Sequence, residues 1–139
     1  MRRHHGLSLL EVLLVAAIIS VVTGIVLPIY HAFMLSASRA EARALLYQVA
    51  ADQEQYHLQN GSYSEYAAPL SAPPALKMLS GSGSYRAEVR ACDGAAIDQC
   101  YIIEAVATDQ QGATACQLMT LDSTGVRGPD SAAIADCWN

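Results

Sequence analysis

The sequence has 139 residues, of which 53% are hydrophobic and only 15% are charged, and this length suits one globular domain with one additional helix. Eight Lys and Arg residues against thirteen Asp and Glu residues give a formal net charge of −5. This acidic balance disfavours a nucleic-acid-binding protein, because non-specific affinity for DNA comes from Lys and Arg side chains that neutralise phosphates.

The N-terminus combines a short basic leader, residues 1–6, with a long apolar run in which Glu11 is the only charged residue before Arg39. Arg2 and Arg3 in the leader predict a cytoplasmic N-terminus. The run exceeds the roughly 20 apolar residues that a membrane-spanning helix needs. A carboxylate within such a segment costs about 2.5–3.5 kcal/mol at mid-bilayer, so we expect Glu11 to have a functional partner.

Cleavage after Gly6 would supply that partner, because it would give Leu7 a free α-amine one helical turn from Glu11. Residues at i and i+4 share one face of a helix, so the two charges could pair within a chain or between neighbouring chains. An ordinary secretory signal cleaved near residues 36–38 is the first alternative, but its apolar core is expected to have only about 7–15 residues. A plain signal-anchor helix is the second, and it gives Glu11 no role.

The leader, Gly6 and the segment Leu7-Ser8-Leu9-Leu10-Glu11-Val12 resemble the class III signal of type IV pilins and type II secretion pseudopilins. The resemblance implies that prepilin peptidase cleaves after Gly6 and methylates the new N-terminus at Leu7. It also implies that Glu11 takes part in subunit docking during assembly at the inner membrane.

Gly24 and Pro28 predict a weak point within the apolar run. Proline has no N–H, so the Gly24 carbonyl loses its helical hydrogen bond, and glycine adds backbone freedom at the same place. A simple kink would satisfy this pattern. In pilins, a proline placed in this way accompanies local melting of the helix during assembly, and the sequence resembles that arrangement.

Apolar residues at steps of three and four continue the helix as an amphipathic segment over residues 39–60, where Asn60-Gly61 is a stop signal. Prolines and glycines then predict a loop over residues 61–83. Within it, Ser62-Tyr63-Ser64-Glu65 fits a capping box that would begin a helical turn at Ser64–Ala68.

Alternating patterns predict strands at Tyr85–Ala91 and Tyr101–Thr108, followed by a third at Ala115–Leu121 and a short segment at Val126–Arg127. Three or four antiparallel strands would then cover the amphipathic helix. The predicted fold class is therefore α+β.

Four cysteines lie in the C-terminal half, which the basic leader places outside the cytoplasm, where disulfides persist. Four cysteines allow three connectivities, and zinc is the alternative, although no C-x-x-C pair is present. Cys92 and Cys100 flank a hairpin loop and are the natural local pair, which leaves Cys116 to pair with Cys137. The segments Cys116–Gly125 and Asp136-Cys137-Trp138 further resemble PilE-type minor pilins. In those proteins the last cysteine pair bounds a D-region, here Gln117–Asp136.

The sequence thus predicts a structural subunit of a type IV pilus, a minor pilin that supports pilus biogenesis, adhesion and twitching motility. Its partners would be other pilin subunits, prepilin peptidase and the inner-membrane assembly machinery, and we expect no enzymatic activity, no cofactor and no metal. The alternatives are a DNA-receptor pilin for competence, a type II secretion pseudopilin and a major pilin. A DNA receptor would need a basic cluster built from Arg39, Arg43, Lys77, Arg86, Arg90 and Arg127.

The expected domains are a cleaved leader at 1–6, a transmembrane and assembly helix at 7–38, and a periplasmic domain at 39–139. The periplasmic domain is divided into a helix (39–60), an αβ-loop (61–83), and a sheet with the D-region (84–139).

Overall fold

A computed structural model describes residues 8–108, 116–128 and 137–138, with the side chains of residues 26–28 and 31 excepted. The long α-helix α1 occupies Leu9–Asn60. It ends where Gly61 adopts a φ of +71°, and the Gly61 N–H donates to the carbonyl of His57 at 2.8 Å. This left-handed glycine stops the helix at the predicted signal, because side chains other than glycine rarely adopt that conformation. The chain divides into two compact units, Met1–Leu35 and Ser36–Asn139.

The first half of α1 carries large apolar side chains that are exposed to solvent, such as Leu9 at 77% and Phe33 at 68%. Apolar side chains on every face of a helix indicate burial against lipid or other helices. Among the described residues, no helix is long and apolar enough to cross a membrane. The membrane-spanning segment expected at residues 7–38 therefore stays a prediction.

Five strands among the described residues form one antiparallel sheet in the order β1-β2-β3-β4-β5. Because every neighbouring pair is consecutive in the chain, the sheet is a simple meander with β1 at one edge and β5 at the other. The strands are β1 (Lys77–Leu79), β2 (Tyr85–Ala91), β3 (Tyr101–Ala107), β4 (Leu118–Asp122) and β5 (Arg127–Gly128).

The core lies between one face of the sheet and the second half of α1. Tyr85, Ile103 and Met119 from three strands are buried there against Leu46 and Val49 of α1. The helix residues follow the three- and four-residue spacing predicted from sequence, and the strand residues follow the alternation of a half-buried sheet. The predicted α+β class is confirmed.

The sequence missed one strand, because β1 lies within the segment predicted as loop, so the sheet has five described strands instead of three or four. The predicted helical turn at Ser64–Ala68 is wrong. The Ser62 hydroxyl donates to the carbonyl of Tyr63 instead of capping a turn. The backbone N–H of Ser64 donates to the buried side chain of Gln53, and Ala68 forms an isolated antiparallel bridge with Ala75.

Candidate assembly and recognition surfaces

Glu11 lies in the first turns of α1 beside an apolar groove of about 390 Å³. The groove is lined by Glu11, Val12, Val15, Ala16 and Ile19, which the helical repeat places on one face. The Glu11 side chain is exposed. Such a groove can pack against an apolar helix of another chain. A cation on that helix can then pair with the Glu11 carboxylate.

The predicted cleavage and methylation positions, Gly6 and Leu7, lie outside the described residues. The pairing of Glu11 with a new α-amine therefore stays a prediction.

The predicted weak point remains helical in the structure, because α1 continues through Gly24 and position 28. A Cβ added at Gly24 would meet no described heavy atom within 4 Å, so packing within the described chain does not require glycine there. The side chain of Pro28 lies outside the described set. Local melting during assembly stays a prediction.

The cysteines form the two bonds Cys92–Cys100 and Cys116–Cys137 in the described structure, which is the pairing expected from sequence. The first bond closes the β2–β3 hairpin, and its sulfur atoms lie in half-buried residues. Both cysteines of the second bond are fully buried in the core. The Tyr85 hydroxyl donates to the Cys116 carbonyl at 2.8 Å, and this hydrogen bond connects β2 to the second disulfide within the core.

Three of the six basic residues that a DNA-binding cluster would need are paired with carboxylates on the outer face of the sheet. Lys77 Nζ and Arg86 Nε each lie 2.9 Å from one Glu88 oxygen. Arg90 Nε donates to Glu104 at 2.7 Å. The hydrogen bond from Lys77 is the main cause that lowers the pKa of Glu88 below its ordinary value. These local pairs leave little positive charge for an anionic partner on this face.

A different arginine forms the β5-edge cluster, which we define as Tyr47, Arg127 and Trp138. The Arg127 guanidinium lies 5.3 Å from the centroid of the Trp138 ring and donates to the Tyr47 hydroxyl at 2.8 Å. The Trp138 indole N–H donates to the Gly128 carbonyl at 3.4 Å, and Arg43 donates to the Cys137 carbonyl at 3.4 Å. An exposed arginine beside aromatic rings can bind a carboxylate or a nucleic acid.

Sequence reasoning named Arg127 as a basic residue but did not bring it together with Trp138 or Tyr47. Tyr47 and Arg127 are separated by 80 positions in the chain. Only the order of the strands brings β5 to the second half of α1, so no local sequence pattern could have found this cluster.

Comparison with known proteins gives a consistent assignment. Residues 28–120 match a family model described as "Type IV minor pilin ComP, DNA uptake sequence receptor", and residues 1–27 match the "Prokaryotic N-terminal methylation motif". The fold is similar to that of a type IV pilin from Shewanella oneidensis, with a TM-score of 0.52 and 24% identity, over 75% of this chain and 97% of that chain. The curated proteins searched contain no match to the sequence.

Proposed function

The chain belongs to the family of the type IV minor pilin ComP, whose model covers residues 28–120, and we propose that it works by docking into a pilus through the first half of α1. One observation supports this proposal above the others: exposed apolar side chains cover this half of the helix, with Glu11 as its one carboxylate among the described residues. Removal of such a surface from water is favourable and lowers the free energy by about 25 cal/mol per Å² of apolar area.

We further propose that residues 7–38 anchor the newly made chain in the inner membrane, with the C-terminus in the periplasm. The two arginines of the leader favour this orientation. Prepilin peptidase would remove residues 1–6 by cleavage after Gly6 and methylate Leu7, as the match to the methylation motif at residues 1–27 suggests. The mature chain would then leave the membrane for the extracellular fibre. Pilus assembly, and with it adhesion and twitching motility, would depend on this subunit.

Deletion of the gene, followed by complementation, tests this role. We expect fewer surface pili and reduced twitching, both restored by the wild-type chain. Normal pili and twitching with a loss of exoprotein release would instead identify a pseudopilin of type II secretion and overturn the proposal.

A second function, reception of DNA for uptake, is favoured by the description of the matching family as a DNA uptake sequence receptor and by the β5-edge cluster. The chain without its leader carries 6 Lys and Arg residues against 13 acids, a formal balance of −7, because Arg2 and Arg3 leave with the leader. Such a chain repels DNA overall, so binding would depend on a few arginines and on stacking against Tyr47 and Trp138. Stacking contributes about 1–3 kcal/mol per base.

Transformation assays separate the two functions. If the cluster binds DNA, Trp138→Ala should reduce DNA uptake while surface pili remain, and Leu58→Ala, at an exposed position on α1 outside the cluster, should leave uptake unchanged. Equal uptake by wild type and Trp138→Ala would remove this candidate function.

A further inference from the structure

Two arginines follow the apolar run of α1, and the docking proposed for the first half of this helix does not use them. Arg39 is the first charged residue after Glu11, and Arg43 lies one helical turn further on. Residues at i and i+4 share one face of a helix, so both side chains lie on the same side of α1. Both are half-buried, and part of each therefore stays accessible. We call Arg39 and Arg43 the arginine pair.

The guanidinium of Arg39 forms no ion pair and no hydrogen bond with another described residue. Burial raises the pKa of Tyr85, and the positive charge of Arg39 acts in the opposite direction, so the two groups lie close together. Arg43 donates to the Cys137 carbonyl at 3.4 Å. A guanidinium carries five N–H donors, and those of Arg39 are therefore available to an acceptor from outside the described chain.

Glu41, the carboxylate nearest to the arginine pair in the sequence, lies on the other flank of α1. It is two positions from each arginine, which at 3.6 residues per turn is a rotation of roughly 200° around the helix. Its Oε2 accepts hydrogen bonds from both the backbone N–H and the hydroxyl of Ser82, which lies between β1 and β2. The Ser82 hydroxyl is the main cause that lowers the pKa of Glu41 below its ordinary value. This ionised acid therefore binds the β1–β2 connection and leaves the positive charge of Arg39 in place.

The spacing of charged residues matches the thickness of a bilayer. Residues 12–38 contain no Asp, Glu, Lys or Arg and separate Glu11 from Arg39. At a rise of 1.5 Å per residue, a helix of this length extends about 40 Å. A bilayer with both headgroup layers is about 40–45 Å thick. A chain anchored with Glu11 at the inner headgroup layer therefore brings Arg39 to the outer one.

The phosphate of a lipid headgroup is the acceptor that an arginine at this depth meets. A guanidinium presents its N–H donors in a planar fork that binds two phosphate oxygens at once. The chain without its leader has a formal balance of −7, so an anionic membrane surface repels the globular unit as a whole. Attraction to that surface then depends on local cations, each of which contributes about 1 kcal/mol near an anionic bilayer.

We propose that the arginine pair binds the phosphate of an anionic phospholipid headgroup at the periplasmic surface of the inner membrane. This inference rests on the proposed anchoring of residues 7–38 in that membrane. The contact would set the depth at which the globular unit begins. It would be lost when the chain leaves the bilayer for the fibre, so it stabilises the chain before assembly.

Photo-crosslinking of the full chain in lipid vesicles tests the contact. The vesicles contain phosphatidylcholine and a small fraction of phosphatidylglycerol that carries a photoactivatable group on its headgroup. Peptide mapping should place the lipid label within residues 36–47. Arg39→Gln and Arg43→Gln should each lower this label about five-fold, equivalent to ~1 kcal/mol per arginine. Arg90→Gln removes an exposed arginine from the outer face of the sheet, and this matched control should leave the label unchanged.

Further arms separate the charge from other causes. Arg39→Lys keeps the positive charge and should retain more of the label than Arg39→Gln, and an equal loss in both would overturn the inference. A label of equal strength from phosphatidylcholine with the same photoactivatable group, or a label in another region, would also overturn it. Displacement of the label by a short DNA duplex would assign the arginine pair to DNA instead. Normal insertion and normal entry into pili without a headgroup label would refute this contact and leave the proposed pilus function intact.

Discussion

Removal of the buried disulfide should destabilise the globular unit more than removal of the hairpin disulfide. The relevant perturbations are the paired substitutions C116A/C137A and C92A/C100A. Loop-closure entropy gives about 3.3 kcal/mol for Cys116–Cys137, with a sequence separation of 21, and about 2.5 kcal/mol for Cys92–Cys100, with a separation of 8. Loop length alone therefore separates the two variants by only about 0.8 kcal/mol.

Burial widens this difference. Cys116 is 1% exposed and Cys137 is fully buried, whereas Cys92 and Cys100 are half-buried. Replacement of the buried pair by alanine leaves a space in the core, and such spaces add to the loss of stability. We expect a total loss of about 4 kcal/mol for C116A/C137A, which at 4–8 °C per kcal/mol lowers Tm by roughly 15–30 °C.

This difference is measured by thermal unfolding of the full chain in detergent, monitored by circular dichroism in the near ultraviolet. The C92A/C100A variant is the matched control, with an expected decrease in Tm of roughly 10–20 °C. An equal decrease in the two variants, or a larger one for C92A/C100A, would refute the reasoning from burial and loop length.

Three further predictions concern processing, the αβ-loop and acid stability. Mass spectrometry should show that the mature chain begins at a methylated Leu7 and that Gly6→Ala slows cleavage; an intact leader in cells with active peptidase would contradict this. Gln53→Leu should cost about 1–3 kcal/mol in urea unfolding, because it leaves the buried Ser64 N–H and the part-buried Tyr66 carbonyl of the αβ-loop without their partner, whereas Gln48→Leu at an exposed position should cost little; equal midpoints would refute this role. Partial burial acts to raise the pKa of Asp122, but hydrogen bonds from a hydroxyl and from backbone N–H groups outweigh it and hold the pKa below its ordinary value of 3.8. Its stabilising effect is thus present above about pH 4 and lost as the pH falls through the lowered pKa, so acid should destabilise the wild type more than Asp122→Asn, and parallel pH profiles would contradict this.

Local patterns predicted those parts of the fold that depend on local chemistry. The alternation at Tyr85–Ala91 gave the bounds of β2 without error, because one face of this strand is buried and the other carries charged side chains. The Asn60-Gly61 stop signal gave the end of α1. In contrast, β1 has only three residues and lies among prolines and glycines, so its register is set by pairing with β2 and not by its own sequence.

Contacts between distant segments could not be read from the sequence. The capping-box pattern at residues 62–65 failed because Gln53, eleven positions before Ser64, takes the backbone N–H that a helical turn would use. The β5-edge cluster and the Glu41–Ser82 contact join positions 80 and 41 residues apart. The cysteine pairing was more accessible, because two of the four cysteines flank one hairpin.

The amount of chain in sheared pili relative to membranes, compared between wild type and Glu11 variants, tests the central claim most directly. Glu11→Ala and Glu11→Gln should still be inserted and cleaved, since removal of a charge makes the segment a better membrane helix. Both should enter pili poorly, because a carboxylate in a low-dielectric setting attracts a neighbour's amine far more strongly than in water. Glu11→Gln keeps the acceptor oxygen without the charge and should be nearly as defective as Glu11→Ala, while Tm of the globular unit stays unchanged. A ratio equal to that of wild type in both variants would contradict docking through Glu11.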